Sequence, residues 1–213
     1  MLTVHHLGIS QSDRAVWLCE ELEIPYELKR YERDPVTRAA PPEYKALHPA
    51  GTAPVITDGD LVLGESGAVI DYIIHRHGNG RLAVAPDQPN YADYLYWFHF
   101  ANGSMMPSAL IELVITMVTG QRDAPGTAQL RARGDLAFAM VEERLGKTPY
   151  FAGDDFTAAD IMMLYPLTSM RRPVPRDIAP YPNLRAYLQR IGARPTYQRA
   201  MAKADPGLAP MLS

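Results

Sequence analysis

The chain has 213 residues, 47% of them apolar and 21% charged, with a formal net charge of −3, a profile of one or two packed globular domains without the basic balance that nucleic-acid binding needs. Its single cysteine, Cys19, excludes an intrachain disulfide and fits a reducing cytoplasm. No charged-then-apolar segment opens the sequence, so no secretory leader is expected, and the longest apolar run, ALIELVITMV at 109–118, falls far short of a membrane span and carries Glu112.

LTVHHL (2–7) is short and β-rich. From Arg14 to Leu22, Ala15, Leu18, Cys19 and Leu22 form a helical stripe. Ile24-Pro25 ends that helix, because a residue before proline avoids the α region. YELKRYE (26–32) reads as a second strand, and Pro35, Pro41, Pro42 and Pro49 mark a loop with one short helix. APVIT (53–57) and LVLGE (61–65) flank Asp58-Gly59, a hairpin signal. SGAVIDYIIHRHG (66–78) is a helix that buries Ile70, Ile73 and Ile74 and stops at Gly78. This β-α-β-(α)-β-β-α order predicts a four-stranded mixed sheet with helices on both faces. RLAVAPDQP (81–89) reads as a linker, and helices follow over about 90–120, 126–146, 157–171, 183–194 and 196–204, separated by glycine and proline.

Several residue types carry chemistry. Ser10 and Ser12 stand where the first strand gives way to a helix, with no base beside them in sequence; Ser12 and Asp13 would also serve as helix caps. Pro54, after Gly51, falls at a strand start, where sheets tolerate proline. Ser66 suits the N-cap of a helix beginning near Gly67, whose free N–H groups and dipole favour a carboxylate, and Glu65 before it suits an amino group. Thr157-Ala158-Ala159-Asp160 is a capping box, with Phe156 placed as its staple. Cys19 lies on the apolar stripe and reads as structural. His5 and His6 point to opposite faces of a strand and cannot meet at one metal, and His75 and His77 flank Arg76 near a helix end, so no metal site is expected.

In their order and spacing, GISQSDRAVWLCEELEIPYEL, HPAGTAPVI, LGESGAVIDYI and AGDDFTAADIMM resemble the cytosolic glutathione transferase superfamily, and the likeness covers essentially the whole chain. It implies an α/β plus all-α protein: a thioredoxin-like glutathione-binding domain at 1–80, a linker at 81–88, and an all-helical domain at 89–213 lining a hydrophobic substrate site. It implies a cytoplasmic, homodimeric detoxification enzyme, with glutathione as co-substrate, a small hydrophobic electrophile and no tightly bound cofactor.

In theta- and delta-like members the catalytic serine stands four residues before the arginine that opens helix one. Ser10 and Arg14 have that spacing, and Ser12 is the rival. Such a serine needs no base if its hydroxyl only donates to the glutathione sulfur. Lowering a thiol pKa of about 8.5 by roughly two units takes about 3 kcal/mol. A hydrogen bond to a charged group supplies about 1.5–3 kcal/mol, and a helix N-terminus about 0.3–1 kcal/mol.

The resemblance makes Ala53-Pro54 a cis bond, with the Ala53 backbone pairing the cysteinyl unit, and gives the γ-glutamyl group to Glu65 and Ser66. Thr52 stands where many relatives carry lysine or glutamine for the glycine carboxylate, which shifts that end toward His48 or Lys45. Leu7 and Ile9 would floor an apolar cleft between the domains. Met105 and Met106, on the first long helix of the second domain, would line it. Two other activities remain open: a glutathione-dependent peroxidase or disulfide reductase, and a non-catalytic glutathione-binding regulator. A zeta-type isomerase would need an SSCSWRVR-like opening, which this chain lacks.

Overall fold

β1 (Leu2–Leu7) is buried along nearly its whole length because it runs inside a four-stranded sheet, between β2 (Glu27–Tyr31) and β3 (Val55–Asp58), with β4 (Leu61–Gly64) beyond β3. The computed structural model describes residues 1–213. β1 pairs parallel with β2, Leu7 opposite Tyr31, and antiparallel with β3, His5 opposite Val55. β3 turns at Gly59, φ 59°, into the antiparallel β4. A parallel pair needs a crossover, and α1 (Asp13–Leu22) supplies it. A short α2 (Pro42–Lys45) precedes β3, and α3 (Ser66–Arg76) follows β4.

The chain forms two compact units, Met1–Ala83 with Gly192–Pro210, and Val84–Ile191 with Met211–Ser213. The first therefore reclaims a C-terminal segment that the sequence reading assigned to the helical domain. The cause lies on α1, which is buried on almost every side because α3 and α9 (Pro195–Ala204) both pack on it. α9 buries Tyr197, Ala200 and Ala204, and the Tyr197 ring meets Trp17 edge-on at 5.1 Å between centroids. Arg194 forks onto the Glu21 carboxylate, Nε at 2.8 Å and Nη2 at 2.7 Å, while Glu20 pairs with Arg199 and Lys203.

Two elements, α3 and the helix expected over 90–120, differ from expectation. α3 ends at Arg76, two residues before the expected Gly78, and the chain then turns through left-handed Asn79, φ 53°, and Gly80, φ 74°. Gly78 instead gives its N–H to the carbonyls of Ile73 and Ile74, and a side chain there would meet Leu22. The helix expected over 90–120 is α4 (Tyr91–Phe100) and α5 (Met106–Thr119), joined by a π turn at Ala101–Met105. Pro107 has no N–H to return to the preceding turn, and the wider turn absorbs the lost bond.

In the second unit α6 (Ala128–Leu145), α7 (Ala158–Leu167) and α8 (Pro182–Gly192) complete the helices. α7 is buried all round, as a sequence apolar at every position but Asp160 requires. Its capping box forms: the Ala159 N–H donates to Thr157 Oγ1 at 3.3 Å and the Thr157 N–H to Asp160 Oδ2 at 2.9 Å. By length and composition the continuous Tyr91–Thr119 stretch could cross a membrane. Here α4 packs on α7 and α5 on α6, with Glu112 buried against Arg176 at 2.6 Å.

Candidate functional site

The turn between β1 and α1 brings Ser10 and Ser12 together. Their Oγ atoms lie 2.7 Å apart, and the Ser12 N–H donates to Ser10 Oγ at 3.3 Å. Ser12 occupies the N-cap position of α1 but does not cap it; its hydroxyl turns back toward the strand. There it accepts the Leu7 N–H at 3.1 Å and meets His6 Nδ1 at 2.9 Å. His6 Nε2 lies 3.3 Å from Asp205 Oδ1, near enough for charge pairing but not aligned as a hydrogen bond. Asp205 also accepts the Ile9 N–H at 3.1 Å. Ile9 sits at φ 52°, a strained conformation for a β-branched residue, so Asp205 holds the bend that presents Ser10. Burial works against the Asp205 charge, but His6, the Ile9 amide and Arg30 outweigh it and hold the carboxyl below the usual aspartate range. Asp13, at the first position of α1, is pushed up to about 7 by burial against the pull of Arg14 and His6.

A second group joins the N-termini of α1 and α3. Arg14 Nη1 donates to Gln11 Oε1 at 2.6 Å and to Ser66 Oγ at 3.2 Å. Ser66 is thus the first residue of α3 rather than its cap, with its hydroxyl taken by Arg14. The N-cap position belongs to Glu65, exposed at φ 67° and ψ 119°, a region L-residues rarely enter. Beside it, the Ala53-Pro54 bond is cis, and the β3 ladder begins only at Val55, leaving Ala53 outside it. Thr52 is exposed. His48 Nδ1 accepts the Ala50 N–H at 3.2 Å, and its ring lies against Gly64, the residue before Glu65.

The family model of the glutathione S-transferase N-terminal domain matches residues 5–81, and that of the glutathione S-transferase C-terminal domain matches residues 124–190. Glutathione S-transferase 3 of Schizosaccharomyces pombe is 30% identical over 96% of this chain and 88% of its own length. The chain belongs to the glutathione S-transferase family. A glutathione S-transferase of Actinobacillus pleuropneumoniae, solved by crystallography, is 36% identical, with a TM-score of 0.87 over 97% of this chain and 95% of that one. A Phanerochaete chrysosporium transferase solved with oxidised glutathione, 21% identical with a TM-score of 0.75 over 95% of this chain and 94% of that one, shares the fold.

Within this transferase the apolar residues fare differently from the polar ones. Leu7 is not a pocket floor: it is buried in a core with Tyr31, Tyr44 and Val55, because β1 is an inner strand. Met106 is likewise core, packed with Tyr165, Met170 and Val174, and Met105 is buried at the end of the π turn. Ile9 is half-buried and lines a hollow of about 190 Å³ whose walls, including Arg30, Glu32 and Arg33, are mostly charged. Cys19 is fully buried, and burial pushes its thiol up, away from reactivity.

A histidine stands behind the two serines, with His6 Nδ1 at 2.9 Å from Ser12 Oγ. His6 belongs to a strand buried on both faces, so both of its histidines need partners: His5 meets Tyr31 Oη at 2.9 Å and Thr57 Oγ1 at 3.2 Å, and His6 meets Ser12. A doubly buried strand with adjacent histidines was the available signal. Asp205 gave none, since it arrives from the other end of the chain.

Proposed function

We propose that this glutathione transferase is of the serine type, related to the theta- and delta-like branch, and that Ser10 donates its hydroxyl hydrogen to the glutathione sulfur. The observation that carries this reading is the Ser10 hydroxyl at the mouth of α1, on a bend fixed by Asp205. A hydroxyl there favours thiolate over thiol, and the positive end of α1 adds to the effect. The thiolate then attacks an electrophilic carbon directly. In the same reading the free backbone of Ala53 pairs the cysteinyl unit. Ser66 and the start of α3 take the γ-glutamyl carboxylate, and Glu65, exposed beside them, takes the amino group. His48 and Lys45 serve the glycine end.

The second substrate is a small hydrophobic electrophile, consistent with detoxification, and glutathione exchanges as a co-substrate rather than staying bound. A cytoplasmic location agrees with one buried, unpaired cysteine. A homodimer is supported by Leu110, Val114, Met117 and Val118, which fall on one face of α5 and are exposed.

Replacing Ser10 by alanine tests the central claim. The variant should still be retained by glutathione resin, while conjugation of a model aryl halide at neutral pH falls about 10- to 100-fold, the worth of a hydrogen bond to a charged sulfur. Parental turnover in Ser10→Ala would refute the reading.

A further inference from the structure

We propose that Ser12, His6 and Asp205 form a buried proton wire that takes up the glutathione proton and leaves Ser10 donating to the sulfur. The proposal rests on the reading that Ser10 faces that sulfur.

Hydrogen-bond valence carries the argument. In one arrangement Ser10 Oγ–H donates to Ser12 Oγ, and Ser12 Oγ–H donates to the neutral Nδ1 of His6. Ser12 Oγ then has two incoming hydrogens, from Ser10 and from the Leu7 N–H, and one outgoing, which fills a hydroxyl's capacity. In the reverse arrangement His6 Nδ1–H donates to Ser12 Oγ, and Ser12 Oγ–H donates to Ser10 Oγ. Ser10 Oγ then accepts that hydrogen and the Ser12 N–H, and its own hydrogen is free to point at a sulfur. Both arrangements satisfy every hydroxyl, and both keep a hydrogen on His6 Nε2, toward Asp205.

The two differ by one proton. The S–H bond of glutathione breaks and its hydrogen bonds to Ser10 Oγ. The hydrogen formerly on Ser10 passes to Ser12, and that formerly on Ser12 passes to His6 Nδ1. The products are a thiolate accepting from Ser10 and an imidazolium facing the Asp205 carboxylate. No oxidant or further reactant is required. Asp205, at the end of α9, lies 3.3 Å from His6 Nε2; Asp13 and Arg14 on α1 and Arg30 on β2 are the other titratable or charged groups around the wire. His6, Ser10 and Ser12 are all buried, so bulk water does not short-circuit the chain. Ser12, His6 and Asp205 are positioning residues here; only Ser10 touches the substrate.

The test compares Ser10→Ala, Ser12→Ala, Ser12→Thr, His6→Gln and Asp205→Asn in the full-length protein, after glutathione binding confirms that each is folded. Two quantities are read: the ionisation of bound glutathione by ultraviolet thiolate absorbance against pH, and the protons released to a weakly buffered indicator per thiolate formed. The parent should release clearly fewer protons than it forms thiolates near neutral pH, because His6 keeps them. Ser12→Ala and His6→Gln should raise the bound thiol's pKa by about one unit, a tenfold loss of thiolate at a given pH, and should release one proton per thiolate. Ser12→Thr, which keeps the hydroxyl, should behave as the parent. Asp205→Asn can still accept the Ile9 N–H and should shift ionisation in the same direction as His6→Gln, which keeps the test open if His6→Gln fails to fold. Parental ionisation and proton count in Ser12→Ala and Asp205→Asn, with a raised pKa in Ser10→Ala, would overturn the wire and leave the Ser10 reading standing. Unchanged ionisation in Ser10→Ala would overturn both.

Discussion

Glu21→Gln probes the clasp between α1 and α9. The Glu21 carboxylate accepts Trp17 Nε1 at 2.9 Å and Arg194 Nε and Nη2 at 2.8 and 2.7 Å, and it also bonds Thr196 Oγ1. Its side chain is 5% exposed and that of Arg194 27%. Removing one member of a buried ion pair costs about 3–5 kcal/mol. Arg194 can partly rehydrate and glutamine keeps one acceptor, so we expect about 2 kcal/mol, or roughly 8–10 °C in the melting of a unit of about 100 residues. Glu143→Gln is the control: that carboxylate, on α6, pairs at 2.6 Å with Lys147 just beyond the helix, but the two side chains are 68% and 64% exposed. Such a pair is worth about 0–0.5 kcal/mol. The assay is thermal unfolding followed by Trp17 fluorescence in a Trp97→Phe background, which leaves one tryptophan, in the first unit. Burial pushes the Glu21 carboxyl up, but Arg194, Thr196 and Trp17 outweigh it and hold it below its usual 4.5. A depressed folded pKa gives stability that is present above the unfolded value and lost as pH falls through the folded one. The gap between parent and Glu21→Gln should therefore close as pH falls below the usual 4.5 and through the depressed folded value. A Glu21→Gln shift no larger than the Glu143→Gln shift would refute the reasoning.

Glu65 at φ 67° carries backbone strain that glycine would relieve. Glu65→Gly should gain about 1 kcal/mol net of glycine's own entropy in urea unfolding, whereas Glu65→Ala should not, and both should bind glutathione more weakly by calorimetry. Light scattering of the parent should give twice the chain mass of 23.7 kDa, and Val114→Glu on the exposed face of α5 should halve it; a parental mass of one chain would sink the dimer.

The sheet was legible because its signals are local. Short β-rich runs, Asp58-Gly59 and the proline at 54 fix strands and turns within a few residues of themselves. The capping box of α7 was legible for the same reason. The site was half legible. Ser10, Glu65 and Ser66 sit at element junctions, where sequence marks a change of structure. Their partners do not: Arg14 lies on the stripe side of a helix and reaches Ser66 only because α1 and α3 begin side by side. Apolar residues misled in the other direction. Leu7 and Met106 read as walls of a pocket because periodicity reports that a side chain is buried, not whether its neighbour is a ligand or another side chain. The helical domain's right-hand boundary was not legible because α9's apolar face fits either unit by pattern, and its partners, Trp17, Glu20 and Glu21, lie on a helix distant in sequence.

Because the first unit draws its last helix from the far end of the polypeptide, its assembly cannot follow the order of synthesis. Asp205 leaves the ribosome 196 residues after the Ile9 amide it will hold, a delay of about 10–40 s at ordinary elongation rates. During that interval the bend bearing Ser10 exists without its fastener, and the exposed side of α1 waits for Tyr197 and Ala200. The second unit, almost continuous in the chain, can mature first, so the residues encoded earliest reach their working geometry last.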